Sequence, residues 1–145
     1  MTTINTLETP CLLLDRQKVS DNIAKLHAHL ADLGVNLRPH GKTAKSIDVM
    51  RMALAGQQGG ITVSTLKEAE YYFAEGIIDI IYAVGITAVK LDRIIRLIKK
   101  GAKITLTLDS IAQAQAVAEH VQQQAQQLSV EIPTSLTESL TGTGA

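Results

Sequence analysis

Two lysines, an arginine and a histidine crowd into Arg38-Pro39-His40-Gly41-Lys42-Thr43-Ala44-Lys45, with Pro39 and Gly41 constraining the backbone between them. A lysine at the C-terminal end of a strand projects into the mouth of a sheet, where its amine can be partly desolvated. Desolvation and cationic neighbours depress an amine's pKa and turn it into a nucleophile able to form a Schiff base. Lys42 is the residue placed for that chemistry, with Arg38, His40 and Lys45 as candidate neighbours. The same run also fits a solvated basic loop or an anion site, and spacing alone favours that plainer reading. His40 is a candidate to stack near a cofactor or to act as an acid–base group, against the alternative of a hydrogen-bonded turn residue. Arg38 reads more readily as a supporting cation than as a direct ligand. Tyr82 closes a candidate strand and could reach the same mouth.

The remaining reactive side chains read as structural. His27, His29 and His120 have no partner at metal-ligand spacing and are expected at the surface. Cys11 is expected as a small buried hydrophobe within a strand. Gly59-Gly60 precedes a strand rather than a helix, so it is a turn and not a phosphate cradle.

Strands and helices must alternate to position these residues. The β-rich runs are Cys11–Leu14, Val35–Arg38, Ile61–Ser64, Ile80–Val84, Ile104–Leu108 and Ser129–Ile132. Their starts recur at roughly 20–25 residues, the interval of βα units. Between them, Val19, Ile23, Leu26, Leu30 and Leu33 make one helical stripe, with Asp15 as its cap and Gly34 as its stop. Ile47, Met50 and Leu54 mark a second helix ending at Gly56, and Ala69, Tyr72 and Phe73 a third ending at Gly76. The fourth carries Leu91, Ile94, Ile95 and Ile98 between Thr87 and Gly101, with Asp92 and Arg96 able to pair outside it. The fifth follows Asp109 and turns Ala114, Val117, Ala118, Val121, Ala125 and Leu128 inward.

The pattern predicts an α/β fold with a parallel sheet. No Gly-x-Gly-x-x-Gly follows a strand, which removes support for a dinucleotide-binding sheet. The other closed form is a (β/α)8 TIM-type barrel, which needs about 250 residues. The chain has 145. Read as a barrel rather than an open doubly wound sheet, it is a fragment, a partial barrel. Residues 1–132 would form that part and 133–145, mostly Ser, Thr and Gly, an irregular tail.

Composition narrows the function classes. The 14 basic and 14 acidic residues cancel, which argues against a nucleic-acid binder. All 14 basic residues lie within 1–103, while Asp109, Glu119, Glu131 and Glu138 are the only charges beyond. The lone Cys11 excludes an intramolecular disulfide and a multi-cysteine zinc site. The N-terminus does not read as a secretory signal. The apolar stretch Ile77 to Val89 is too short to span a bilayer and contains Asp79. A soluble, cytoplasmic protein with no membrane and no nucleic-acid partner is expected.

The run Thr9-Pro10-Cys11-Leu12-Leu13-Leu14-Asp15, then Asn22-Ile23, then Arg38-Pro39-His40-Gly41-Lys42-Thr43 resembles the start of the D-threonine aldolase / D-serine dehydratase family. These are fold-type III pyridoxal-phosphate enzymes with an alanine-racemase-like barrel and an Arg-Pro-His-x-Lys-Thr-His-Lys hallmark. Val63 to Glu70 and Gly76 to Ile80 resemble the family's next βα unit, so the likeness covers roughly residues 8–132. It implies that Lys42 holds pyridoxal 5'-phosphate as the internal aldimine, with His40, Arg38 and Tyr82 in the cofactor-binding set. The implied substrates are D-β-hydroxy amino acids, undergoing retro-aldol cleavage or elimination of water. A divalent metal commonly assists, with ligands in later segments of the parent enzyme and none here. The resemblance further implies a homodimeric parent, a first strand belonging to a separate β-domain, hence a barrel truncated after about five barrel strands, and an N-terminal fragment inactive by itself. Ala44 stands where the family usually has His. Two other readings remain open: a non-catalytic pyridoxal-phosphate homeostasis protein, and a non-functional half-barrel with exposed edges.

Overall fold

The computed structural model describes residues 3–57 and 59–128. After a 3-10 turn at Ile4–Thr6 the order is α1 (Arg16–Asp32), α2 (Ile47–Leu54), β1 (Ile61–Val63), α3 (Leu66–Ala74), β2 (Asp79–Gly85), α4 (Ala88–Lys99), β3 (Lys103–Thr107) and α5 (Ile111–Leu128). The strands form one parallel sheet in the order β1-β2-β3. This is the partial barrel architecture expected from the strand–helix alternation, with a smaller sheet.

Each helix starts and stops for a local reason. The Asp15 carboxylate accepts the Lys18 amide at 3.0 Å and opens α1. At Gly34 φ is +64°, a left-handed stop that glycine adopts without strain. Thr65 and Glu68 form a reciprocal capping box at the start of α3. The buried core lies between the sheet and its helices: Ile61 and Val63 of β1 and Ile80 and Tyr82 of β2 meet Leu66, Ala69 and Tyr72 of α3 and Leu91, Ile94 and Leu97 of α4. The period-2 alternation puts Thr62, Ile81, Thr105 and their neighbours on the opposite face, the inner face of a barrel.

Two expected strands are not found among the described residues. Cys11–Leu14 is irregular, Cys11 is exposed and Leu12 is fully exposed. A strand exists only where a neighbour takes its amides and carbonyls, and no described strand lies beside this one. Val35–Arg38 is likewise not a strand. The segment meets β1 through a single parallel bridge, His40 to Thr62, just past the expected range. Pro39 has no amide to donate and offers only its carbonyl, which Thr62 N–H reaches at 2.9 Å. Ser129–Ile132 and the tail at 133–145 lie outside the described residues.

The helical expectations need smaller corrections. In α4, Leu97 is buried and Ile98 is 47% exposed, so the apolar stripe is rotated by one position. Asp92 pairs with His120 of α5 at 2.8 Å rather than with Arg96, because α5 packs against α4. His27 is not simply a surface residue: its Nε2 meets the Ala53 carbonyl at 3.0 Å and ties α1 to α2. The α1 stripe stays largely open, with no residue of α1 buried.

Candidate functional site

The bridge between His40 and Thr62 aligns the 38–42 segment with the sheet. Gly41 N–H donates to Thr62 O at 2.8 Å, one of the two bonds that make the bridge. Thr62 faces the inner side of the sheet, so His40 beside it does too, and so does Arg38 two residues earlier. Lys42 follows two residues past His40, near the level where β1 ends, and its side chain is exposed at the C-terminal edge. That is the edge at which parallel α/β sheets build sites.

The turn holding Lys42 is anchored from behind. Tyr72 of α3 is fully buried and its hydroxyl donates to the Gly41 carbonyl at 3.1 Å. Its ring lies so close to Gly41 that a Cβ there would fall within 2.9 Å of both Cζ and the hydroxyl. Only glycine lets this backbone lie on the ring. Burial pushes the Tyr72 phenol above its ordinary value, with Tyr71 and Glu68 adding to the effect.

Both ring nitrogens of His40 are engaged. Its Nδ1 lies 3.2 Å from the Lys42 backbone N–H, which can only donate. Nδ1 is therefore the bare nitrogen, and Nε2 carries the proton and donates it to Ser64 Oγ at 3.1 Å. Ser64 is thus not activated as a nucleophile, since the ring offers it a proton rather than taking one. Its own hydroxyl hydrogen remains available to a ligand on the inner face. Glu68, only 8% exposed, accepts from Ser64 N–H at 2.9 Å and Thr65 N–H at 3.3 Å, and fixes the turn that carries Ser64.

The expected cationic neighbours of Lys42 are engaged elsewhere. Arg38 makes a bidentate pair with Asp79, at 2.9 and 2.6 Å, and those hydrogen bonds hold its guanidinium still more firmly protonated. Lys45 Nζ lies 3.7 Å from Glu68. Lys42 itself has no ion-pair partner among the described residues. Tyr82 is not brought to the site. It sits in the helix-facing core, 1% exposed, and its hydroxyl meets Lys90 Nζ at 2.9 Å. Strand parity explains this: Tyr82 pairs with Val63 and Leu106 on the helix side, and the inner face belongs to its neighbours Ile81 and Ala83.

Ser64, Asp79, Tyr72's hydroxyl and Glu68's turn were not legible as site features. The Thr65-x-x-Glu68 spacing was the one available signal, as a capping box. An open groove lined by Lys45, Thr65, Lys67, Glu68, Tyr71 and Tyr72 lies nearby and includes neither His40 nor Lys42. Among the described residues no three His, Cys, Asp or Glu side chains gather as metal ligands. No helix there is long and apolar enough to cross a membrane.

The chain is similar to known proteins along most of its length. The D-threo-3-hydroxyaspartate dehydratase of Delftia sp. strain HT23 is 40% identical over 143 residues, covering 99% of this chain and 38% of that protein. Its solved structure superposes with a TM-score of 0.84 at 42% identity, over 86% of this chain and 33% of that one. The 3-hydroxy-D-aspartate aldolase of Paracoccus denitrificans is 34% identical over 107 residues, 72% of this chain and 28% of that protein. The chain thus spans well under half the length of these relatives. Residues 14–137 match the family described as alanine racemase, N-terminal domain, and with most of its length inside that match the chain belongs to this fold-type III pyridoxal-phosphate family.

Proposed function

We propose that this chain carries the attachment lysine of a pyridoxal-phosphate-dependent lyase acting on D-β-hydroxy amino acids, by retro-aldol cleavage or by elimination of water. The carrying observation is the placement of Lys42: an exposed amine without an acidic partner among the described residues, on a turn anchored at the C-terminal edge of a parallel sheet. A dehydratase and an aldolase among the relatives support the substrate class.

The residues present fit the attachment of an aldehyde cofactor. Lys42 supplies a primary amine that no described carboxylate engages, while Arg38 and Lys45 are each paired. Pyridoxal 5'-phosphate, when bound, provides the electron sink that stabilises charge at the substrate's α-carbon. Lys42 would hold it. Gly41 and Tyr72 orient the Lys42 turn. The His40–Ser64 pair presents a hydroxyl donor on the inner face beside it. A divalent metal is not fitted by the described residues, which gather no ligand set. The homodimer and the cytoplasmic setting belong to the same proposal.

Incubation with pyridoxal 5'-phosphate, borohydride reduction and peptide mapping tests it. The expected result is a pyridoxyl mass on Lys42 well above that on Lys45, Lys67 and Lys90, with the dominant label lost in Lys42→Arg. Even labelling across the lysines would sink the reading.

A further inference from the structure

Arg38 belongs to the lysine-bearing run, yet its guanidinium turns away from Lys42 and spans a strand. Thr62 is the common reference: it faces His40 on one side and Ile81 on the other. Two residues earlier on each segment lie Arg38, Gly60 and Asp79, in one row at the N-terminal side of the sheet. Arg38 and Asp79 are thus not on adjacent segments. The pair crosses over Gly60, which lies between them.

Gly60 is what makes the crossing possible. A Cβ built at Gly60 would overlap the carbonyl oxygen of Asp79 and approach its carbonyl carbon at 2.6 Å and its Cβ at 2.7 Å. Any side chain at Gly60 would therefore displace Asp79 from the position in which it receives Arg38. Both carboxylate oxygens of Asp79 are taken, one by each terminal nitrogen of Arg38. Such a planar fork fixes orientation as well as distance. The lysine segment otherwise meets the sheet through one bridge, made of two backbone hydrogen bonds, and a longer contact from Thr62 Oγ1 to Arg38 O at 3.4 Å. With so short a ladder, register is weakly specified by backbone pairing alone. A slip of one residue would turn His40 and Lys42 to the helix side.

We propose that the Arg38–Asp79 pair, passing over Gly60, is the clamp that sets the register of the lysine segment, making Arg38 a positioning residue rather than a cofactor ligand. Its importance for chemistry rests on the reading of Lys42 as the attachment point. The clamp itself is a property of the chain without cofactor.

Amide hydrogen exchange of the full chain tests it, read at the Gly41 and Thr62 amides and compared with amides of the β2–β3 ladder. Arg38→Gln and Asp79→Asn should each speed exchange at Gly41 and Thr62 by roughly tenfold, the factor that about 1.4 kcal/mol sets. The β2–β3 amides should hold their rates. Arg38→Lys should lie between, since a single ammonium cannot make the fork. The exchanged pair Arg38→Asp with Asp79→Arg should recover most of the protection, which a general loss of folding would not. Gly60→Ala should behave like Asp79→Asn. Unchanged exchange in Arg38→Gln or in Asp79→Asn overturns the clamp, most directly if borohydride-fixed pyridoxyl label at Lys42 is lost at the same time, because Arg38 would then be acting on the cofactor. A wild-type chain that fixes no label at Lys42 removes the cofactor reading alone, and the exchange rates still decide the clamp.

Discussion

At the scale of single residues, the Lys42 turn depends on two features behind it. Tyr72 donates its hydroxyl to the Gly41 carbonyl from a fully buried ring. Tyr72→Phe keeps the ring and removes one hydrogen bond, leaving that carbonyl with one partner fewer. The expected cost is about 1 kcal/mol in urea unfolding, with faster exchange around the turn. Gly41→Ala should cost more, because the added Cβ meets the Tyr72 ring and α3 cannot yield as a flexible side chain would. An equal or smaller loss in Gly41→Ala would mean that the ring moves easily. The raised Tyr72 phenol also has a pH consequence. Its ordinary value is 10.0 and burial lifts the folded value above it. Above about pH 10 the unfolded chain releases this proton first, so stability falls as pH rises. Tyr72→Phe should flatten that decline in unfolding curves taken between neutral and alkaline pH.

At the scale of elements, ion pairs strap the helices over the sheet. Arg93 of α4 grips Glu70 of α3 with bonds of 3.0 and 2.7 Å. Those hydrogen bonds from Arg93 hold the Glu70 carboxyl below its ordinary value of 4.5. A depressed folded pKa contributes stability that is fully present above 4.5 and is lost as pH falls through the lower folded value. Glu70→Gln should therefore lower the urea midpoint modestly at pH 7, as befits a solvent-exposed pair, with the two proteins converging as pH falls below the folded value. Identical acid profiles in the two proteins would show that the strap contributes nothing. The second strap, from Arg51 of α2 to Glu75 beyond α3, is looser at 3.3 Å.

At the scale of the whole molecule, one layer of aliphatic and tyrosine side chains joins sheet to helices. Ile80 is fully buried near the start of the middle strand, paired with Ile61 and Ile104. Ile80→Ala should cost about 2–5 kcal/mol by chemical denaturation, the range for emptying a well-packed core position. Ile98→Ala, on an exposed position of α4, should cost far less. A comparable loss at the two sites would contradict the placement of the core.

Helix positions, their caps and their glycine stops were legible in the sequence because they depend on neighbours three or four residues away. Asp15 before α1, Gly34 after it and Gly76 after α3 are each local chemistry. The strands β1, β2 and β3 were legible as apolar runs, and Lys42 as the lysine of an Arg-Pro-His-x-Lys-Thr run. Tertiary structure alone decided whether a run found a partner. Cys11–Leu14 has the composition of a strand but no described neighbour, and Val35–Arg38 meets β1 only at His40. It also decided which face each residue presents, turning Tyr82 into the core and His40 toward Ser64. The pairing of Arg38 with Asp79 joins residues 41 positions apart. No local pattern encodes it, because the distance between two side chains on separate segments is fixed only when the backbone between them has folded.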